Sequence, residues 1–254
     1  MNNWNKKQIR QTISDLDGLS VSKQNLLSDN TEEFYIDRYQ QIIECLPPIK
    51  KGSSVLDTGL SSGFLSLNIQ RFYKLKKLHT LEHPAIFHNY TKRFLKIMSK
   101  NNISVKSVDL KDEIYPWKNG YFDYIIFSEI LEHLIPSEVP HVFSEFNRML
   151  KKEGKLIVST PNIASFLKRL NLFLFGKNPN QLDLRLDFGA VYGHIKEYTC
   201  DEVVMLAKPN FDVVKQTYIS LDRKRNIYTE LEYRISRVFP HLGNGFVIVF
   251  TKKT

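Results

Sequence analysis

Polar residues close four short apolar runs along this chain: Asp57 after Ser-Val-Leu, Glu82 after Leu-His-Thr-Leu, Asp109 after Ile-Ser-Val-Lys-Ser-Val, and Ser128 with Glu129 after Phe-Asp-Tyr-Ile-Ile-Phe. The first is followed by a glycine-punctuated loop, Asp57-Thr-Gly59-Leu-Ser61-Ser-Gly63, with a helical pattern from Phe64. A strand, a tight loop and a helix start form a ligand-binding unit at the carboxyl end of a parallel strand. Gly59 can take positive φ, and Gly63 lets a ligand approach the main chain. Free N–H groups at the helix start can meet a carboxylate or phosphate. Carboxylates at neighbouring strand ends converge on one rim, where they can accept hydrogen bonds from the hydroxyl and amino groups of a nucleotide-like ligand.

The elements that position these residues alternate. Thr31–Leu46 has helical spacing in Phe34, Tyr35, Tyr39, Ile42, Ile43 and Leu46, with Asn30 or Thr31 as cap and Pro47-Pro48 as stop. Strands are expected near Val55, at Leu78–Leu81, Ile103–Val108, Phe122–Phe127 and Lys155–Ser159, the last preceded by a Glu153-Gly154 turn and ended by Pro161. Helices are expected at Phe64–Phe72, His88–Lys100, Val139–Leu150, Ala164–Phe175, from Thr199, and at Ile227–Val238. Phe211–Tyr218 and Gly245–Thr251 read as further strands. Repeated β–α alternation argues for a mostly parallel sheet covered on both faces. The polar stretch from Gly176 to Gly193 is too long for a simple connection and reads as a lid or substrate-binding insertion.

Composition narrows the class. With 254 residues and a formal net charge of +9, one domain with insertions and a basic surface is expected. The basic residues are spread along the chain, so a nucleic-acid partner is not favoured. Cys45 and Cys200 stand apart, which fits buried thiols in a reducing compartment. Without a membrane-spanning run or a hydrophobic leader, the expected location is the cytoplasm. No His/Cys/Asp group has metal-ligand spacing, so no metal is expected. A dinucleotide fingerprint aligned from Gly59 puts Ser61 and Phe64 where glycines belong, which disfavours a dehydrogenase.

The pattern that fits is acidic-x-Gly-x-small-x-Gly, and it resembles the first motif of the class I S-adenosylmethionine-dependent methyltransferases. Glu82, Asp109-Leu110, Tyr121–Leu134 and Arg148–Asn162 resemble the segments that follow in that family, in the same order. His194-Ile-Lys-Glu-Tyr-Thr199 is similar to a later segment of bacterial members acting on sugars or small metabolites. Ser61 stands where the family usually has its middle glycine.

The resemblance implies a doubly wound, mostly parallel seven-stranded α/β sheet of the Rossmann-like methyltransferase type, with an antiparallel last strand. It implies residues 47–254 as the S-adenosylmethionine-binding domain, an insertion at about 163–198, and residues 1–46 as an N-terminal helical extension. Asp57, Gly59, Ser61 and Gly63 would hold the methionine part of the cofactor, Glu82 the ribose hydroxyls, and Asp109 with Leu110 the adenine. Ser128 and Glu129 would line the methyl-donor side. His133 is the candidate general base, and Tyr192, His194 and Tyr198 are candidate substrate contacts. Tyr35, Arg38 and Tyr39 either close over the cofactor or pack on a helix surface. The expected acceptor is a small metabolite or a glycan precursor. RNA methylation and a non-catalytic cofactor-binding subunit remain the alternatives.

Overall fold

The computed structural model describes residues 11–12, 15–16, 32–177, 186–187, 190–191, 193–220 and 227–253. In order, the main elements are α1 (Glu32–Cys45), β1 (Val55–Thr58), α2 (Phe64–Tyr73), β2 (Leu78–Glu82), α3 (Pro84–Phe87), α4 (Lys92–Lys100), β3 (Ile103–Ser107) and β4 (Phe122–Ser128). There follow α5 (Val139–Met149), β5 (Leu150–Pro161), α6 (Phe166–Phe175), β6 (Leu186–Asp187), β7 (Ala190–Val191), α7 (Cys200–Ala207), β8 (Phe211–Ile219), α8 (Ile227–Val238) and β9 (Gly245–Lys252).

Seven strands form one sheet in the order β3-β2-β1-β4-β5-β9-β8. β1 to β5 pair in parallel, and β9 runs antiparallel to both its neighbours. The order reverses between β1 and β4, which opens the crevice where α/β proteins bind ligands.

The strands are apolar on both faces because both are covered. Val55, Ile126, Ile157 and Val249 enter one core with Ile42 and Ile43 of α1, Leu67 and Ile69 of α2, and Phe94 and Met98 of α4. Their neighbours Leu56, Ile125, Phe127, Val158 and Phe250 enter the other, with Val142, Phe143 and Phe146 of α5 and Val203 and Ala207 of α7. This period of two follows from alternating side chains on a pleated strand. α7 opens with a capping box, in which Thr199 and Glu202 satisfy each other's backbone N–H groups.

Several boundaries differ from the sequence reading. The helix expected at His88–Lys100 starts at Lys92, capped by Thr91, after the separate short α3. β5 starts at Leu150, not at Lys155, because the turn expected at Glu153-Gly154 is absorbed as an irregularity: Glu153 takes φ 63 and the register with β4 shifts between Phe122 and Tyr124. α6 begins at Phe166, after Ser165 in extended conformation. β3 stops at Ser107, yet the Val108 N–H bonds the Glu82 carbonyl at 2.9 Å and keeps Asp109 on the rim. α1 is fastened to the far end of the sheet by two Gln41–Ser220 hydrogen bonds, of 2.6 and 2.9 Å. Among the described residues no helix is long and apolar enough to cross a membrane. Cys45 and Cys200 are buried free thiols.

Candidate active site

The loop after β1 is locked to the end of β2. The N–H groups of Gly59 and Leu60 donate to the Leu81 carbonyl at 3.0 and 3.2 Å. Ser61 takes φ 49, the left-handed region that costs a residue with a side chain about 1–2 kcal/mol. Both of its peptide groups are held: its N–H donates to Glu82 Oε2 at 2.7 Å, and its carbonyl accepts from the Tyr90 hydroxyl at 2.7 Å. The family's missing middle glycine is thus replaced by a clamp built from Glu82 and Tyr90. Sequence reasoning missed Tyr90, which looked like one more apolar position of a helix.

Gly63 has φ 76, and the space a side chain would take there is filled by Phe94 and Met98, at 3.0 and 3.1 Å. Its lack of a side chain serves internal packing. At Gly59, φ 78, the corresponding space is taken by Ile130, whose Cδ1 is 2.5 Å from where a methyl group on Gly59 would sit.

Glu82 is buried and well supplied. Oε2 faces Ser61 N and the Tyr90 hydroxyl, and Oε1 accepts from His83 N at 2.9 Å. A Tyr hydroxyl has one proton, so it cannot donate fully to both Ser61 O and Glu82. Burial raises the Glu82 carboxyl above its ordinary range, against the lowering effect of the Ser61, Tyr90 and His83 hydrogen bonds. Asp57 is also buried. Oδ2 accepts from the Ser66 hydroxyl, while Oδ1 has no hydrogen-bond partner. Burial first, and then the Glu82 charge, push its pKa up to about 7 against the Ser66 hydrogen bond. Asp109 is half-buried; Oδ1 accepts from Lys111 N at 3.0 Å, and Oδ2 lies 3.4 Å from His83 Nε2. Leu110 is buried, with its carbonyl taken by the Tyr115 hydroxyl.

These acceptors suit a nucleoside-bearing sulfonium. The unpartnered Asp57 oxygen calls for a cationic donor such as an ammonium, and Asp109 is within reach of solvent. At Glu82, a ligand hydroxyl competes with the Tyr90 hydroxyl.

Past β4 the groups are drawn from distant parts of the chain. Glu129 takes φ 55, with its N–H on the Ser159 carbonyl at 2.9 Å. Its carboxylate accepts from the Ser159 hydroxyl at 2.9 Å and forms an ion pair with Arg38 of α1. Because Ser159 donates to Glu129, Ser128 is the donor in the 2.8 Å contact between the two serine hydroxyls. Arg38 therefore closes α1 over the end of β4. Tyr39 instead packs on Phe64, with ring centroids 5.2 Å apart.

The turn Leu131–His133 carries Glu132 inward and His133 to the surface of the crevice. Glu132 Oε2 accepts from Thr160 Oγ1 at 2.9 Å, and burial together with Glu129 pushes its pKa up to about 8. His133 Nδ1 lies 3.1 Å from the Gly193 carbonyl, so Nδ1 carries the proton and Nε2 has the lone pair. Burial lowers the His133 pKa. His194 Nδ1 lies 3.0 Å from Glu197, whose hydrogen bond raises the His194 pKa. The two imidazole rings meet edge to face at 5.1 Å.

The structure thus brings His133 and His194 together with Glu132, a residue the sequence reading had not assigned a role. Sequence spacing pointed to no metal-ligand group; in the fold, one donor atom from each of the three lies within 4.8 Å of the others. Spacing concealed this because His194 arrives from about 60 positions along the chain, within the insertion. Tyr198 is buried in the second core with an unpaired hydroxyl, under the Lys196 ammonium. Tyr192 and the Tyr35 side chain lie outside the described residues.

A seven-stranded sheet with β9 alone reversed, a glycine loop after β1 and carboxylates along one rim define the Rossmann-like methyltransferase fold. The model of a family described as a methyltransferase domain matches residues 31–216, and the chain belongs to that family; it is an S-adenosylmethionine-dependent methyltransferase. An uncharacterized protein of Methanocaldococcus jannaschii is 26% identical over 208 residues, 80% of each chain. Among solved structures, a SAM-dependent methyltransferase of Archaeoglobus fulgidus aligns with TM-score 0.56 and 16% identity over 88% of this chain and 97% of its own. The N-methyltransferase NodS of Bradyrhizobium japonicum, in complex with S-adenosyl-L-homocysteine, aligns with TM-score 0.55 and 13% identity over 97% and 98%. At these identities the likeness to both is one of fold.

Proposed function

We propose that this enzyme transfers the methyl group to an oxygen or nitrogen atom of a small metabolite or of a glycan-precursor sugar. The observation that carries this reading is the wall of Glu132, His133 and His194 beside the end of β4, next to the Arg38–Glu129 pair. Two imidazoles and two carboxylates in a half-buried crevice match the hydrogen-bonding groups of a polyhydroxyl acceptor.

On the donor side, Asp57, Gly59 and Ser61 would hold the amino-acid end of the cofactor, Glu82 its ribose, and Asp109 with Leu110 its base, while Gly63 lets the loop pack on the helix behind it. When bound, the sulfonium supplies an electrophilic methyl group. What the chain supplies is position: Ser128 and Glu129 at the end of β4 separate the donor rim from the acceptor wall, and an in-line approach accounts for much of the rate of such a transfer. His133, oriented by the Gly193 carbonyl, presents an Nε2 lone pair to the acceptor's proton.

The test is transfer from methyl-labelled S-adenosylmethionine to a pool of nucleotide sugars and small polyols, with total RNA offered in parallel. Label in the small-molecule fraction is expected. Label in RNA alone overturns the acceptor class, and cofactor binding without transfer to either points to a non-catalytic subunit.

A further inference from the structure

We infer that Glu132, His133 and His194 bind a divalent first-row metal ion that holds an acceptor oxygen beside Glu129. The donor set carries the argument. His133 Nε2 stands 3.9 Å from Glu132 Oε1, too far for a hydrogen bond, and the three donor atoms lie within 4.8 Å of one another. A tetrahedral ion with bonds of about 2.1 Å needs its donors roughly 3.4 Å apart. A modest inward movement of two surface imidazoles meets that need.

Each donor has the outer support that ligands usually have. His133 Nδ1 is held by the Gly193 carbonyl and His194 Nδ1 by Glu197, so Nε2 is the nitrogen each ring would offer an ion. Glu197 is steadied in turn by Lys168. Thr160 holds Glu132 Oε2 and leaves Oε1 to the cluster. The two ligand-bearing stretches are also tied through their backbones: Ile195 and Lys196 donate to the Glu132 carbonyl at 2.8 and 3.2 Å. Arg38 pairs with the neighbouring Glu129 carboxylate.

Two imidazoles and one carboxylate favour zinc, iron, cobalt or nickel over magnesium and calcium, which prefer oxygen. Three protein ligands leave coordination positions open, as in catalytic sites. The role of the ion rests on the methyl-transfer reading; its binding does not. With the ion in place His133 is a ligand and not the base. A hydroxyl on the ion is acidified and gives its proton to water. The O–CH3 bond then forms as the S–CH3 bond breaks, and the electron pair stays on sulfur, which becomes a neutral thioether.

The full chain, stripped with chelator, is titrated calorimetrically with zinc chloride and, separately, with S-adenosylhomocysteine. One equivalent of zinc is expected to bind, and cobalt(II) to give visible bands of an imidazole-bound ion. His133→Ala and His194→Ala each weaken zinc binding by about tenfold or more, and Glu197→Gln by about tenfold, with melting temperatures recorded alongside. Absence of zinc binding and of the cobalt bands in the unaltered chain overturns the site, as does unchanged zinc affinity in the double histidine variant. If S-adenosylhomocysteine binds and zinc does not, the methyltransferase reading stands and the metal site falls. Zinc binding without the nucleoside gives the reverse.

Discussion

The two sides of the crevice are built differently. On the donor side, each carboxylate is held by near neighbours in the chain: Asp57 by Ser66 nine positions on, and Glu82 by Tyr90 eight positions on and Ser61 21 back. On the acceptor side, Arg38 reaches Glu129 across 91 positions and His133 meets the Gly193 carbonyl across 60. Closing a short loop costs less entropy than closing a long one. The donor rim is therefore a property of the β–loop–α unit itself. The wall proposed to face the acceptor exists only when α1 and the segment around Gly193 have docked.

The largest effect is expected inside the donor side, and it depends on pH. The folded pKa of Asp57, about 7, lies above its ordinary value of 3.8. Between those values the folded chain keeps a proton that the unfolded chain releases, so stability falls as pH rises through the window. The slope from this group is up to about 1.4 kcal/mol per pH unit, or on the order of 4 kcal/mol across the window. Urea melts of the unaltered chain and of Asp57→Asn between pH 4 and the folded pKa should differ by that slope. Parallel curves would place the proton elsewhere.

Removing the acceptor side's closure comes next. Arg38→Ala leaves the largely buried Glu129 carboxylate without its partner and should cost about 3 kcal/mol in a denaturant melt. A loss below about 1 kcal/mol would match a solvent-screened pair and would mean that α1 does not seal the crevice.

Gly63→Ala is expected to cost about 2 kcal/mol, from the positive φ and from crowding against Phe94 and Met98. Both neighbours belong to the core behind the loop, so the loss should appear in stability before it appears in cofactor affinity. The opposite order would mean that the glycine faces the ligand.

The same contrast explains what could be read beforehand. Apolar runs marked the strands because parallel strands are buried on both faces, and the residue ending each run marked the rim. Thr199 marked the start of α7, and the capping box it forms with Glu202 came with the structure. Ser61 was visible as a misfit, but its remedy was not: a tyrosine hydroxyl on an otherwise apolar segment has no sequence signature. The partner of Arg38, the part played by Glu132 and the pairing of His133 with His194 were hidden for a stronger reason. Nothing local distinguishes a residue whose partner lies 60 or 91 positions away, and the fold alone selects it.

The most direct test of the central claim, that the rim of β1, β2 and β3 holds the methyl donor, is calorimetry with S-adenosylhomocysteine on the unaltered chain and on Asp109→Ala. Asp109 is half-buried and outside both cores, so its loss should leave the fold intact. One binding site is expected, weakened about tenfold in the variant, or roughly 1.4 kcal/mol. No heat of binding to a folded, unaltered chain, or equal affinity in the two proteins, would contradict that placement of the cofactor.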